Sequence, residues 1–430
     1  MAIFGALNIC SLAMNTHSVR LAQVSMNVAN MNTTSYKEVE THYQTIRSRV
    51  NQSGDLFSIK PNEIRRVEEQ GLVASTGRPL DAAINGLGFF VLNAQADGSG
   101  EQRYTRDGSF TGQIYERAGD TNGDGQPDQG TYLITNGGDY VMGWKALEDG
   151  EGFETALSAV DYSNDSIDPG KATSEIKLRG NIPATNLTPV THTLSIPVIR
   201  QQTSPEGVPQ TVNYSVRLAF VPKTDAPGEW TLTPSVDGTG AVDTITATPA
   251  DIKFGGDGLL DLANSGDGST TLALTYPDGE TQDVSIDLRE MTQFSGEEKL
   301  ALRQLVNDGY STSVIRGAYF NEEGVVIGRY SNGVEKPLYK LPIATFPAPQ
   351  NLNLRDGNLY TQAFDSGEPT LRSLTPDDRL SQVIGESLEY SNVKLEDQFS
   401  RMIVTQRAYS SAATVYRTSD EMTKTMRDLI

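Results

Sequence analysis

Cysteine is almost absent from this sequence of 430 residues. The single thiol, Cys10, excludes an internal disulfide framework and any multi-cysteine zinc site. Histidine is nearly as scarce. His17, His42 and His192 lie far apart in sequence, so a histidine metal cluster or a hydrolase relay has few candidates. Aromatic residues make up 7% and apolar residues 37%, both lean for a chain of this length. No uninterrupted apolar run nears the ~18 residues of a membrane span. Basic residues are outnumbered, 35 Lys plus Arg against 55 Asp plus Glu, and the net charge of −20 argues against nucleic acid or anionic lipid as partners. The opening Met1-Ala2-Ile3-Phe4-Gly5 has no basic region, apolar core or small-residue cleavage site, so a cleaved signal peptide is not expected.

Charge and chain breakers divide the sequence in the same way. Residues 1–50 and 385–430 are close to neutral, and the acidity belongs to the middle. No proline precedes Pro61 or follows Pro376, and ten of the 20 lie between Pro169 and Pro249. This predicts two helical ends around a turn-rich β middle. At the first end, Ile3, Leu7, Cys10, Met14, His17, Leu21, Val24, Val28 and Met31 recur in steps of four and three, which keeps them on one seam of a helix. Cys10 is read as a structural thiol on that seam, and His17 as its one polar position. At the other end Leu388, Leu395, Met402, Tyr409 and Tyr416 are spaced by seven, with Phe399 and Ile403 widening the stripe. Thr375-Pro376-Asp377-Asp378 reads as the start of this second helix. The expected fold class is therefore mixed. Its termini are α-helical coiled coils, with the N- and C-terminal helices paired, and they enclose all-β middle domains of sandwich or barrel type.

The β middle is read from segments rich in aromatic and β-branched residues. Ile84–Leu92, Tyr104–Phe110 and Tyr132–Trp144 come first, then Thr191–Arg200, Thr211–Val221, Thr231–Thr248 and Leu272–Leu288, and last Val325–Tyr330 and Tyr339–Phe346. Catalytic motifs are missing. Gly86-Leu-Gly88 is followed by a strand-like run where a dinucleotide site needs a helix. There is no phosphate loop and no nucleophile elbow. Asp120, Asn122, Asp124 and Asp128 have the oxygen spacing of a calcium loop with Gly125 at its turn, but Thr131 stands where the bidentate Glu belongs. Calcium is the one cofactor with a candidate site, and otherwise none is expected.

Three blocks carry a family resemblance. Asn27-Val-Ala-Asn30-Met-Asn32-Thr33-Thr-Ser35-Tyr36-Lys37 resembles the Ala-Asn-x-Asn-Thr-x-Gly-Tyr-Lys signature of bacterial flagellar rod and hook proteins, with Ser35 in place of the usual Gly. Leu80–Val91 followed by Tyr104-Thr-Arg106-Asp-Gly108-Ser-Phe110 resembles the family's second block. Leu388–Leu395, Gln406-Arg407-Ala408-Tyr409 and Asp420-Glu421-Met422 resemble its third. The segments Tyr132–Trp144, Gly324–Gly333 and Asn358-Leu-Tyr360, together with a large insert, are similar to the hook members of the family rather than to the shorter rod members.

The resemblance implies a structural, non-catalytic subunit of a curved helical tube that passes motor torque from rod to filament. It also implies export by the type III apparatus to the flagellum outside the cell. Partners would be further copies of the chain, the rod, the hook cap, the hook–filament junction proteins and the export apparatus. A distal rod protein is the alternative, and a secreted β-rich surface binder a more remote one. The domains implied are a terminal helical domain (1–32 with 385–430), a connecting segment (33–70 with 366–384), an inner β domain (71–146 with 306–365) and an outer, variable β domain (147–305). Ile3, Leu7, Cys10, Met14, Leu21, Val24, Val28, Met31, Leu388, Leu395, Phe399, Met402, Tyr409 and Tyr416 are the candidate assembly contacts. Asn27, Asn30, Asn32, Thr33, Tyr36 and Lys37 are expected to shape the exit from the first helix.

Overall fold

The computed structural model describes residues 2–49, 55–116, 129–147, 152–162, 167–184, 190–203, 209–223, 226, 228–236, 244–247, 250–262, 265, 268–276, 278–296, 299–376, 378 and 380–428. The candidate calcium ligands Asp120, Asn122, Asp124 and Asp128 lie outside them. The chain divides into two compact units. Unit 1 holds residues 1–164, 316–329 and 335–430, and unit 2 holds 165–315 and 330–334.

Unit 1 begins with helix α1 (Ala2–Ala29) and ends with helix α2 (Leu395–Asp428). After α1 the chain forms a two-stranded antiparallel ribbon, β1 (Val39–Arg49) with β2 (Asp55–Arg65), in continuous register from Val39 opposite Arg65 to Arg49 opposite Asp55. Five short strands follow: β3 (Val73–Ser75), β4 (Ala82–Gly86), β5 (Phe89–Asn93), β6 (Gln102–Thr105) and β7 (Phe110–Glu116). Then come β8 (Gln129–Thr135) and β9 (Tyr140–Ala146). The main sheet of the unit runs from Glu335–Lys340 through β9, β5 and β6 to Leu359–Thr361 and Asn353–Arg355. Its core joins Val67, Phe89, Val91, Tyr104, Met142, Ala344 and Tyr360, with edge-on aromatic contacts between Phe89 and Tyr360 (5.4 Å) and between Tyr104 and Phe346 (4.9 Å).

Two small ladders tie sequence-distant parts of this unit together. Strand Ser381–Gly385 pairs antiparallel with β4, setting Val383 opposite Ile84, and strand Ser387–Glu389 pairs with β3, setting Leu388 opposite Ala74. Ser381 and Val383 are buried on the first of these strands, and Ser387, Leu388 and Glu389 are all buried on the second.

Unit 2 is a two-sheet sandwich. One sheet orders the strands Thr244–Ala247, Ser269–Thr275, Thr281–Thr292, Glu175–Asn181 and Ala301–Asn307. The other orders His192–Thr203, Pro209–Pro222, Glu229–Val236 and Ala250–Lys253. The alternation of Ile176 and Leu178, of Ile196 and Val198, of Val216, Leu218 and Phe220, and of Val284, Ile286 and Leu288 points one face of each sheet into a shared apolar core. The mostly β middle fits what composition predicts for 169–250.

The helical termini depart from expectation in two ways, and one β segment in a third. The paired coiled coil is not what forms. α1 packs against α2 and also touches the β1–β2 ribbon, but the buried positions of α2 are not those of an apolar heptad. On α2 the fully buried positions are the polar Gln398 and Thr405, while Phe399, Tyr409 and Tyr416 stay exposed. Heptad spacing marks an apolar face, and it does not specify what covers that face. Second, α2 begins at Leu395 and not near Pro376. Leu388 lies on a strand, where strand pairing with β3 outweighs the favourable first-turn residues at 375–378. Third, Ile84–Leu92 is two strands. Gly86 and Gly88 have φ of +112° and +116°, so Gly86-Leu87-Gly88 turns the chain between β4 and β5.

Candidate functional site

The three family blocks converge on one buried ionic knot. Glu389, at the end of the last strand before α2, is 1% exposed. Its Oε1 accepts hydrogen bonds from Lys37 Nζ (2.6 Å) and from the Gly71 backbone N–H (2.8 Å), and its Oε2 accepts one from Arg106 Nε (2.8 Å). Lys37 Nζ also donates to the Glu69 carbonyl (2.7 Å). The rest of the Arg106 guanidinium fills the turn between β4 and β5, donating to the carbonyls of Gly86 (2.8 Å) and Gly88 (3.2 Å). The site is dry: the side chains of Lys37, Arg106 and Glu389 are 0%, 2% and 0% exposed. Gly71 is required there, because a Cβ on it would lie 1.9 Å from the Tyr390 carbonyl oxygen.

Two cations share one anion, and the electrostatics follow. Burial opposes ionisation of Glu389, but Arg106 and Lys37 overcome it and hold the carboxyl below its ordinary range. Lys37 yields instead. Desolvation, reinforced by the neighbouring Arg106 charge, outweighs the attraction of Glu389 and pushes the Lys37 amine down to about 8.

Ser35 explains the family's preference for Gly at its position. Its φ is +56°, in the left-handed region. The Ser35 hydroxyl donates to the Arg106 carbonyl (2.8 Å) and its N–H to the Glu389 carbonyl (2.8 Å), so the strained turn is anchored to both other blocks.

Asn27 is the centre of a second polar cluster, joining both helices to the ribbon. Its Nδ2 donates to the Val39 carbonyl (2.9 Å) and to Gln398 Oε1 (3.1 Å). Its Oδ1 accepts from the Val39 N–H (3.1 Å) and from the Tyr36 hydroxyl (3.1 Å). Glu38 in turn accepts from Gln398 Nε2 (2.9 Å) and Arg401 Nη1 (2.6 Å), and its N–H donates to Asn392 Oδ1 (2.7 Å). Asn30 closes the end of α1: its Nδ2 donates to the Met26 carbonyl (2.9 Å) and its Oδ1 accepts from the Thr33 hydroxyl (3.2 Å). Asn32 and Thr33 are exposed.

The candidate assembly residues are spread along both helices. Ile3 lies within α1. Leu7, Cys10, Met14, His17, Leu21, Val28 and Met31 are half-buried, and Val24 is buried. On α2, Leu395 and Met402 are half-buried, and Phe399, Ile403, Tyr409 and Tyr416 are exposed. Leu388 is buried inside unit 1. Sequence reasoning missed Arg106, Glu389, Gln398, Glu38 and Asn392 as individuals, although Arg106, Glu389 and Asn392 lie inside the quoted blocks. Only Glu389 stands within a strand, as a charged group beside the apolar Leu388, and that is the one local signal among them. Among the described residues no group of three or more His, Cys, Asp or Glu is placed to hold a metal, and no helix is long and apolar enough to cross a membrane.

Comparison with known proteins agrees with the blocks. The family model described as Flagellar basal body rod FlgEFG protein C-terminal matches residues 385–429, and the one described as Flagellar basal body protein FlaE D2 domain matches 211–310. The chain is 26% identical to the Flagellar hook protein FlgE of Brucella suis, with 98% of each chain covered. It is 25% identical to that of Rhizobium meliloti over the full length of both. It is 23% identical to that of Salmonella typhimurium, covering 97% of this chain and 98% of the relative.

Two outcomes follow from this geometry. Ser35→Ala keeps the left-handed strain and loses the bond to Arg106, so it should cost about 1–2 kcal/mol of unit 1 stability. Ser35→Gly loses the same bond but relieves the strain, and should cost less than half as much. Denaturant midpoints read from Trp144 fluorescence check the order, and equal losses would refute it. The second outcome concerns pH. The folded value of Lys37 lies below its unfolded value, so between about 8 and 10 the unfolded chain binds more protons and stability rises with pH. Above about 10 the slope reverses, because burial pushes Tyr104 and Tyr360 up to about 12. Lys37→Met should abolish the rise, on the order of 1 kcal/mol per pH unit, in a melting series against the unaltered protein.

Proposed function

We infer that this chain is a structural subunit of the bacterial flagellar hook, a helical polymer that works as a universal joint in swimming motility. The observation that carries this reading is the end-to-end match to hook proteins of several bacteria, insert included. A rod subunit would share the terminal blocks without a need for the two-sheet insert. The family is structural, and its subunits polymerise with themselves in the hook.

The terminal helices are proposed as the surfaces through which copies meet. In support, α2 exposes Phe399, Ile403, Val404, Tyr409, Val415, Tyr416, Met422 and Met426 over 34 residues. That much uncovered apolar side chain on one helix is costly in water and marks a contact surface. A contact of this kind between non-equivalent faces does not close on itself and so gives an open helix of subunits. Further proposals, resting on the family alone, are export without a cleaved signal, placement outside the cell between rod and filament, and docking to the rod, the cap and the junction proteins. The proposed task of the polar clusters is to hold the helices where they can meet a neighbour.

The test is to purify the full chain, let it polymerise, and compare sedimentation and electron micrographs for the unaltered protein, Leu21→Asp and Tyr416→Asp. Tyr416 is exposed, so its replacement leaves the fold intact, and polymer yield should fall by at least about tenfold with an unchanged circular dichroism spectrum. Curved tubes formed at normal yield by Tyr416→Asp would defeat the assignment of α2 as a contact surface. Straight tubes from the unaltered protein would favour the rod reading.

A further inference from the structure

We propose that residues 380–392 are a closing strap for unit 1, and that this unit cannot fold until Glu389 has docked. Three observations carry the inference. The first is charge. Lys37 and Arg106 come from the early part of the unit, are both buried, and repel each other. Glu389 is the carboxylate bonded to both. Without it the same pocket would confine two cations and no anion, a state that folded proteins avoid.

The second is strand pairing. Among the described residues, β3 pairs only with Ser387–Glu389, and β4 pairs only with Ser381–Gly385. Three- and five-residue strands do not persist without a partner. The third is the fate of the backbone donors. The N–H groups of Ser35, Glu38, Gly71, Thr76 and Leu87 come from five separate places in the first quarter of the chain. They donate to Glu389 O (2.8 Å), Asn392 Oδ1 (2.7 Å), Glu389 Oε1 (2.8 Å), Glu386 O (2.7 Å) and Leu380 O (3.2 Å) respectively. One short segment therefore satisfies donors spread from residue 35 to residue 87, and each is otherwise an open valence.

Unit 2 has no such dependence. Its two sheets are built from strands between Glu175 and Asn307, and its core is drawn from the same stretch. A chain delivered from its N-terminus can therefore complete unit 2 while unit 1 still waits for its strap. The order of folding is opposite to the order in which the two units begin.

Pulse-labelled hydrogen exchange during refolding of the full, unaltered chain tests this directly. Amides of residues 82–93 and 102–105 should gain protection in the same phase as those of 381–389, while amides of 192–222 and 269–292 follow their own phase. Protection of 82–105 in a phase that precedes 381–389 would overturn the proposal. Glu389→Gln keeps the shape and removes the charge. It should slow the unit 1 phase by about tenfold or more, read by Trp144, and leave the Trp230 phase unchanged. A unit 1 phase at the unaltered rate in that variant would also overturn it.

Discussion

One carboxylate holds the first unit together. Glu389 has Lys37 on one oxygen and Arg106 on the other, in a space that excludes water. Such an arrangement is asymmetric in energy. Relative to well-packed apolar groups a buried ionic cluster gains little, yet removal of one member costs about 3–5 kcal/mol because a charge is left stranded. The knot therefore acts less as a source of stability than as a condition on geometry. It admits one register of Ser387–Glu389 against β3. A slip of one residue would exchange the faces of Leu388 and Glu389, taking the carboxylate away from its two cations and setting the apolar side chain against them. The left-handed turn at Ser35, the Gly86-Leu87-Gly88 turn and the glycine at 71 are all fitted around that one position.

How much of this could be read in the sequence depended on the range of the interactions. α1 was legible because its signal is local: apolar groups every three or four residues, no proline, and an asparagine at its end. The sandwich in unit 2 was legible as a class, since Thr, Pro and Gly with alternating Ile, Leu and Val leave few other solutions. The β1–β2 ribbon was not. Val39–Arg49 carries polar residues on both faces, so no period of two stands out. The knot was invisible for a different reason. Lys37 and Glu389 are 352 residues apart, and nothing in either local pattern requires the other. The motif could be matched to a family, but its physical purpose needed the fold.

The misreading of the second helix is instructive in the same terms. Pro376 with two acidic residues after it has the composition of a helix start, and Leu388 has the heptad phase of Leu395 and Met402. Both signals are weak priors, each worth about 1 kcal/mol or less. Against them stand two strand ladders, the buried side chains of Val383 and Leu388, and the ion pairs of Glu389. Tertiary contacts win whenever a segment is needed elsewhere. The helix resumes where the knot ends, after Asn392 has capped the Glu38 N–H.

The two polar clusters also account for why the helices are left with uncovered apolar faces. Asn27 of α1 and Gln398 of α2 are buried and hydrogen-bonded to each other, and Gln398 also donates to Glu38 in the segment between α1 and β1. A helix fixed at one end by directional hydrogen bonds has a set orientation, and its remaining face is presented at a set angle. Apolar contacts alone would not do this, since they are non-directional. The apolar side chains that α2 leaves exposed, Phe399, Tyr409 and Tyr416 among them, are the surface that the proposed contact between copies would cover.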